Sequence, residues 1–254
     1  EHWGCPWSRT PDGHVNVRTL DPAATGFFAG FDVIVSYLYD PDRIFRENVG
    51  RCSRAQFLQA AHRPDERALT HATEVFLEPL RALAIFDADP TPRIPLPTDA
   101  PPNEPPCIAV HPGSGSERKN WPEDRWLELL TRLTHEHDLP VLLVGGEAEG
   151  ERLHRLASAL PHDRRRLARR LPLDQLAPLL SRCRLFLGHD SGITHLAAAL
   201  GVPCVVLWGP TNPAIWRPRG SHDVRLLQHE HGLLALDPRS VLAACQDLLT
   251  APRA

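Results

Sequence analysis

The sequence lacks methionine, has only two tyrosines, and contains no apolar run near the roughly 20 residues that a membrane-spanning helix needs. Its six cysteines are scattered without a CxxC pair, so we expect reduced thiols and a cytoplasmic protein rather than a disulfide framework. A formal net charge of −3 gives no overall attraction to nucleic acid. Because methionine is missing and Glu1 opens the chain, we do not expect a complete translation product.

The remaining composition is ordinary for a globular protein. Hydrophobic residues make up 42% and charged residues 23% of the 254 residues, enough for one large domain or two modest ones. Eight of the 26 prolines fall within residues 87–106. We therefore predict a semi-rigid linker at 99–106, between an N-terminal domain at 1–98 and a C-terminal domain at 107–254.

The strongest local signal is the stretch from 186 to 216, which reads as strand, polar loop, helix, strand and second loop. Its helix ends where Gly201 and Pro203 follow the last helix-forming residues. Two parallel strands joined by a helix form a right-handed crossover unit, and ligands of such sheets lie outside the carboxyl ends of the strands. The stretch therefore predicts a binding site built on a rigid base.

Strand-like and helix-like segments alternate along the rest of the chain. Further strands are predicted at 31–38, 54–58, 107–110, 140–144 and 224–227. Further helices are predicted at 44–50, 71–86, 123–134, 151–160, 173–181 and 238–249. This alternation predicts an α/β fold with a doubly wound parallel sheet. The basic run at 163–170 is interpreted as a solvated face, with a patch near anionic lipid or glycolipid as the alternative.

Four of the predicted strands end in loops of small and polar residues, which should converge on one crevice. Their sequences are HPGSGS from 111, GGE from 145, GHDSG from 188 and WGPT from 208. In the first loop, Ser114, Gly115, Ser116 and Lys119 offer hydroxyls, a permissive backbone and a charge, which together suit a diphosphate. The alternative for each single loop is a tight turn without a ligand.

Other polar side chains near these strand ends have two interpretations each. Glu147 and Glu149 can accept hydrogen bonds from a ribose, or can be solvated acids at a helix start. Asp190 and Ser191 can contact a ligand, or can cap the following helix. His195 lies one turn into that helix and is either a ligand contact or a structural histidine. No Walker loop, nucleophile elbow or complete metal-ligand set is present.

Two long motifs resemble glycosyltransferase family 9, the lipopolysaccharide heptosyltransferase family. They are HPGSGSERKNWPEDRW and GHDSGITHLAAALGVPCVVLWGPTNPAIWRP. The resemblance implies a GT-B fold, in which two Rossmann-like doubly wound domains face a cleft. Residues 1–98 would be part of the acceptor-side domain, and 107–254 would bind the nucleotide sugar. It also implies inverting, metal-independent transfer of a sugar, typically heptose from ADP-heptose, with no cofactor besides that substrate.

The resemblance assigns roles by position. Ser114, Gly115 and Lys119 would hold the donor diphosphate, and Glu147 or Glu149 would face the ribose. The contacts to the sugar and phosphates would come from Asp190, Ser191, Gly192 and His195. The acceptor would be a glycolipid or oligosaccharide of the lipopolysaccharide type, which suggests peripheral contact with the inner face of the membrane.

The family's general base is an Asp in a Gly-Asp loop after the first strand, and this sequence has no such opening. Asp40 and Asp42, which follow a predicted strand, are possible substitutes. Either a first strand–helix portion of the N-terminal domain is absent, or the protein is a non-catalytic member that binds a nucleotide sugar.

Overall fold

A computed structural model describes residues 22–96, 105–116, 119–146 and 150–251. The chain divides into two compact units, Glu1–Pro90 and Thr91–Ala254. All but the last two residues of the linker predicted at 99–106 lie outside the described part, and so does most of the loop at 145–149. No helix in the described ranges has the length and apolar character required to cross a bilayer.

The first unit contains a strand–helix–strand motif. Its elements are α1 (Pro22–Ala29), β1 (Val33–Ser36), α2 (Ile44–Cys52), β2 (Gln56–Gln59) and α3 (Ala72–Leu77), followed by a 3-10 helix at Glu78–Leu83. β1 and β2 pair in parallel, with Val33 opposite Gln56. The single helix predicted over 71–86 changes to 3-10 geometry near Pro79, because proline has no N–H to continue the α-helical bonding.

The second unit is built on a six-stranded parallel sheet. Its strands are β3 (Ile108–His111), β4 (Val141–Gly145), β5 (Arg165–Arg169), β6 (Leu185–His189), β7 (Cys204–Leu207) and β8 (Val224–Leu227). Its α-helices are α4 (Glu123–Glu136), α5 (Gly150–Ser158), α6 (Leu173–Leu180), α7 (Gly192–Ala199), α8 (Pro213–Trp216) and α9 (Pro238–Thr250). Short 3-10 helices lie at His162–Arg164 and Leu233–Ala235.

The strand order β5-β4-β3-β6-β7-β8 makes the sheet doubly wound, as predicted. The chain starts at the centre with β3, moves outward through β4 to β5, and returns to β6 on the other side of β3. The winding direction therefore reverses between β3 and β6. Such a switch point leaves a crevice beyond the carboxyl ends of the two strands, which is the usual ligand site of this architecture.

Alternate residues of each strand pack against helices on opposite faces of the sheet. On one face Ile108 and Val110 join a buried cluster that includes residues of α4, α5 and α9. On the other face Ala109 joins a cluster with residues of α6 and α7. Near-continuous apolar strands such as Val141–Gly145 are typical of parallel sheets covered on both sides. This core gives the loops at the sheet edge a rigid base.

The basic run at 163–170 is not simply a solvated face. It forms β5, which pairs in parallel with β4 at the edge of the sheet. The half-buried Arg164 and Arg165 donate hydrogen bonds to the carbonyl oxygens of His137 and Ala157. Their long side chains satisfy loop and helix-end carbonyls next to the edge strand, so this part of the run has a structural role.

Candidate functional site

Three of the four predicted loops meet at the carboxyl edge of the sheet. They follow β3, β6 and β7, three adjacent parallel strands. The register places His111 opposite Gly188, and His189 opposite Leu207, so the three strands end at nearly the same level. The loops after β3 and β6 flank the switch point, which is where the sequence predicts a ligand.

Side chains from all three loops join in one hydrogen-bonded cluster. Lys119, after β3, lies with Nζ 2.7 Å from Oδ2 of Asp190, after β6. The hydroxyl of Thr211, after β7, donates to the same oxygen at 2.7 Å. The side chain of Lys119 is 27% exposed and that of Asp190 is 10% exposed. We refer to these three residues as the switch-point cluster.

The switch-point cluster places a partly accessible positive charge in the crevice. An ammonium group has three donors, and the ion pair with Asp190 uses one of them. Lys119 is also the only lysine in the sequence. Thr211 was predicted only as part of the loop Trp208–Gly209–Pro210–Thr211, which follows a buried strand, and no role of its own was predicted for it.

Ser191 caps α7, which was one of the two roles predicted for it. Its side-chain oxygen accepts from the amide of Thr194 at 3.4 Å and lies 3.3 Å from Nδ1 of His111. Gly192 opens the helix, and a Cβ placed there would meet no heavy atom within 4 Å. The first turn of α7 therefore borders open space, where the partial positive charge of a helix start favours an anion.

The loop after β3 holds its own shape. The hydroxyl of Ser114 lies 2.8 Å from Oδ1 of Asn120 and 3.0 Å from the carbonyl oxygen of Ser116. The backbone of Gly115 has a φ of +67°, a left-handed conformation that residues other than glycine rarely adopt. The amide of Lys119 donates to the carbonyl oxygen of Ser116 at 3.0 Å. These bonds support the tight-turn interpretation of Ser114, while Gly115 and Ser116 are exposed.

His189 ties this loop to the neighbouring strand, a role the sequence did not reveal. It is fully buried, and its Nε2 accepts from the amide of Trp121 at 2.9 Å. Its Nδ1 lies 3.4 Å from the carbonyl oxygen of Gly113, which fits a neutral ring with the proton on Nδ1. Burial is the main cause that lowers the pKa of His189 to about 3. The Trp126 ring packs against the His189 ring in a T-shaped arrangement, with 5.5 Å between the two ring centroids.

Of the remaining residues predicted for the site, the structure describes His195, Asp40 and Asp42. His195 is half-buried on α7, and its amide lies 3.3 Å from the carbonyl oxygen of Ser191. Glu147 and Glu149 lie outside the described residues. Asp40 accepts from the amides of Phe45 and Arg46 at 3.0 and 2.9 Å, so both its carboxylate oxygens hold the start of α2.

Asp42 is exposed in the turn before α2. Among the residues described, no three or more His, Cys, Asp or Glu side chains are grouped to hold a metal ion.

The strand order and the loop cluster define the class of the second unit as a Rossmann-like domain with a site at its switch point. Two solved structures have this fold over most of the chain. E. coli ADP-heptose LPS heptosyltransferase II is 20% identical, with a TM-score of 0.72 over 89% of this chain and 80% of that one. E. coli heptosyltransferase WaaC with ADP is 20% identical, with a TM-score of 0.67 over 89% and 77%. The fold is therefore GT-B, as predicted.

The family predicted from the two motifs is confirmed. Residues 84–238, more than half of the chain, match glycosyltransferase family 9 (heptosyltransferase), and the chain belongs to this family. Lipopolysaccharide heptosyltransferase 1 of Pseudomonas aeruginosa is 38% identical over 128 residues, covering 50% of this chain and 35% of that protein. Lipopolysaccharide heptosyltransferase 2 of Escherichia coli K12 is 34% identical over 131 residues, covering 50% and 37%. The matched segments thus span little more than a third of these relatives.

Proposed function

We propose that the protein is an inverting, metal-independent glycosyltransferase that moves heptose from ADP-heptose to a lipopolysaccharide-type acceptor. The observation that carries this proposal is the switch-point cluster, in which Lys119, Asp190 and Thr211 come from three different loops to one crevice. The relatives in Pseudomonas aeruginosa and Escherichia coli are lipopolysaccharide heptosyltransferases, which supports the sugar and the acceptor class. E. coli heptosyltransferase WaaC was solved both with ADP and with ADP-2-deoxy-2-fluoro heptose, which supports the donor.

In the proposed donor site, the diphosphate lies between the loop after β3 and the start of α7. Gly115 and Ser116 are exposed there, and Lys119 supplies the positive charge. When the glycosidic bond to the diphosphate breaks, negative charge grows on the departing phosphate. A cation and helix amides placed there beforehand stabilise that charge without further reorganisation, as an oxyanion hole does. Glu147 or Glu149 is proposed to hold the ribose, and Ser114, Gly192 and His195 complete the proposed contacts.

Asp190 is proposed to orient the transferred sugar. Its carboxylate is fixed by Lys119 and Thr211 through one oxygen, Oδ2. The other oxygen can accept a hydroxyl of the sugar, which would hold the reacting carbon in line with the acceptor. A pair of this kind also keeps the ammonium group of Lys119 correctly placed before the donor binds.

The acceptor side of the proposal involves the first unit, where a general base must remove the proton of the attacking hydroxyl. Asp40 is a weak candidate because two backbone amides already occupy its carboxylate oxygens. Asp42 is the other candidate. A cytoplasmic location and contact with the inner face of the membrane belong to the same proposal, and the free thiols of the five described cysteines support a reducing compartment.

A second candidate function is binding of a nucleotide sugar without turnover. Asp40 is one of the two candidate bases, and both of its carboxylate oxygens already accept backbone amides at the start of α2, which favours binding without turnover. Transfer of radiolabelled heptose to a lipopolysaccharide core acceptor separates the two. Turnover supports the enzyme, whereas donor affinity without turnover supports the binding protein.

The donor site is tested by calorimetry with ADP and the Lys119→Ala variant. Loss of a charged hydrogen bond to phosphate should weaken ADP binding by about 10- to 100-fold. Arg132→Ala is the matched control, because it removes a positive charge from α4, where the side chain of Arg132 is 38% exposed and pairs with Glu128. Equal ADP affinity of Lys119→Ala and the wild type would remove the phosphate site proposed here.

Asp190→Ala tests the orienting role separately. We expect turnover to fall by more than about tenfold, because misplacing the reacting sugar is costly even when the donor still binds. Circular dichroism serves as the control for folding. Wild-type turnover in Asp190→Ala would exclude Asp190 from the reaction.

A further inference from the structure

A second hollow of the second unit lies between the carboxyl ends of β7 and β8. It has a volume of about 490 Å³, and Trp208, Gly209 and Pro210 form the side that follows β7. Gln228, His229 and Glu230 form the side that follows β8. This volume falls within the range of about 300–1,000 Å³ that is usual for small-molecule sites. Trp208, Gly209 and Pro210 belong to the loop from 208 that was predicted to join the crevice, whereas Gln228, His229 and Glu230 were not predicted as part of the site.

The pocket adjoins the switch-point cluster. Gly209 forms part of its wall, and a Cβ placed on Gly209 would lie 4.0 Å from the Cα of Lys119. Two residues further along, Thr211 donates to Asp190. The indole nitrogen of Trp208 donates to the carbonyl oxygen of Thr211 at 2.7 Å, which fixes this loop between pocket and cluster. A ligand held by Lys119 therefore has this pocket as its neighbour.

The polar side of the pocket combines hydrogen-bond donors and acceptors. Nδ1 of His229 accepts from the amide of His231 at 3.1 Å, so the neutral ring carries its proton on Nε2 and can donate. Gln228 offers an amide that donates and accepts, and Glu230 offers a carboxylate; both residues are exposed. A carboxylate repels phosphate but accepts hydroxyl groups, so this side suits a neutral, hydroxyl-rich ligand.

The inner side of the pocket is apolar. Leu233 is 6% exposed and Trp208 is 1% exposed, so both are held firmly by the core. A sugar ring has hydroxyl groups at its rim and C–H groups on its faces, which match a polar side above an apolar floor. A diphosphate at Lys119 and a polyol next to it correspond to two adjoining parts of a nucleotide sugar, its diphosphate and its sugar ring.

We infer that the pocket between β7 and β8 is a subsite for a sugar ring, whose hydroxyls are recognised by Gln228, His229 and Glu230. This inference rests on the proposed function, because it assumes that Lys119 holds the diphosphate of a nucleotide sugar. The ring is either that of the donor or that of the acceptor, since both are polyols. The role of the three residues is specificity rather than bond cleavage.

The test compares ADP with ADP-heptose in calorimetry, using the wild type and a variant that combines Gln228→Ala with Glu230→Ala. Both positions are exposed, so the variant should fold, which circular dichroism checks. If the donor ring occupies the subsite, ADP affinity stays within about twofold while ADP-heptose affinity falls about tenfold. If the acceptor ring occupies the subsite, the affinities for ADP and for ADP-heptose are unchanged and the KM for the acceptor rises about tenfold.

Glu151→Ala is the matched control, because it removes a carboxylate that is fully exposed on α5. Unchanged ADP-heptose affinity together with unchanged acceptor KM in the double variant would overturn the sugar subsite while leaving the proposed function intact. Failure of the wild type to bind ADP would instead overturn the proposed function, and the subsite with it.

Discussion

The buried histidine beneath the site predicts a specific sensitivity to acid. The pKa of His189 is lowered to about 3 in the folded protein, mainly by burial, against an ordinary value of 6.5. Between pH 7 and pH 5 the imidazole therefore gains a proton in the unfolded chain but not in the folded one. The unfolded state binds more protons in this window, so stability falls as the pH falls, down to about the folded pKa. Linkage gives a loss of about 2 kcal/mol from pH 7 to pH 5.

The perturbation is His189→Gln, which removes the titrating group. At pH 7 the variant should be less stable by about 1–3 kcal/mol, because the bonds to the amide of Trp121 and the carbonyl of Gly113 are lost or distorted. The further decrease in its free energy of unfolding between pH 7 and pH 5 should be about 2 kcal/mol smaller than that of the wild type. His162→Gln, at an exposed position, is the control and should keep the wild-type pH dependence.

The assay is urea unfolding at pH 7 and pH 5, followed by tryptophan fluorescence. Trp121 and Trp126 lie next to His189 and are 1% and 0% exposed, so their emission reports the loss of this region. The reasoning is refuted if the free energy of unfolding falls by the same amount between pH 7 and pH 5 in the wild type and in the His189→Gln variant. In that case the imidazole would not be kept neutral by the fold.

Two further predictions concern stability in each unit. Asp40→Ala removes the acceptor for two amides at the start of α2 and should destabilise the first unit by about 1 kcal/mol in urea unfolding; an unchanged midpoint would contradict the capping role. Gly220→Ala places a Cβ 2.3 Å from the carbonyl oxygen of Ala198, so we expect a lower Tm and a loss of about 1–3 kcal/mol. Gly26→Ala, with nothing within 4 Å of the new Cβ, is its control, and an equal Tm for both variants would contradict the predicted clash.

Much of the sheet could be predicted from local patterns. Strand β8 has the predicted bounds of 224–227, the bounds of β3 and β4 are shifted by one residue from the predicted ones, and β6 and β7 are the two strands predicted in the stretch from 186 to 216. The four inner strands, β3, β4, β6 and β7, are buried along their whole length because helices cover both of their faces, so the run of hydrophobic residues is itself the signal.

The elements that were missed have weaker local signals. β5 lies at the edge and carries arginines, so its sequence resembles a solvated run although Ala168 packs into the core. α1 and the four-residue α8 were not predicted either. α8 begins at Pro213 after a side-chain cap from Asn212, a signal that is visible only when a helix is already suspected.

The sequence was sufficient to locate the candidate site, but not to predict which of its side chains bond to one another. The loops were identified because glycine, serine and polar residues interrupt the strand ends, and parallel topology brings such ends together. The partners within the site are set by tertiary geometry. Lys119 and Asp190 are 71 positions apart, and Trp121 and His189 are 68 apart. Neither bond has a signal in the local pattern, so the hydrogen-bonding roles of His189 and Thr211 were found only in the structure, although both residues lie in the predicted loops.

A lone primary amine in the crevice makes the protein chemically addressable. In this sequence, reagents selective for primary amines have one side chain to attack, because 27 of the 28 lysine and arginine residues are arginines. Acylation at that position would cancel the charge that pairs with Asp190. A fluorophore or crosslinker attached there would report occupancy of the crevice directly, without a cysteine having to be engineered.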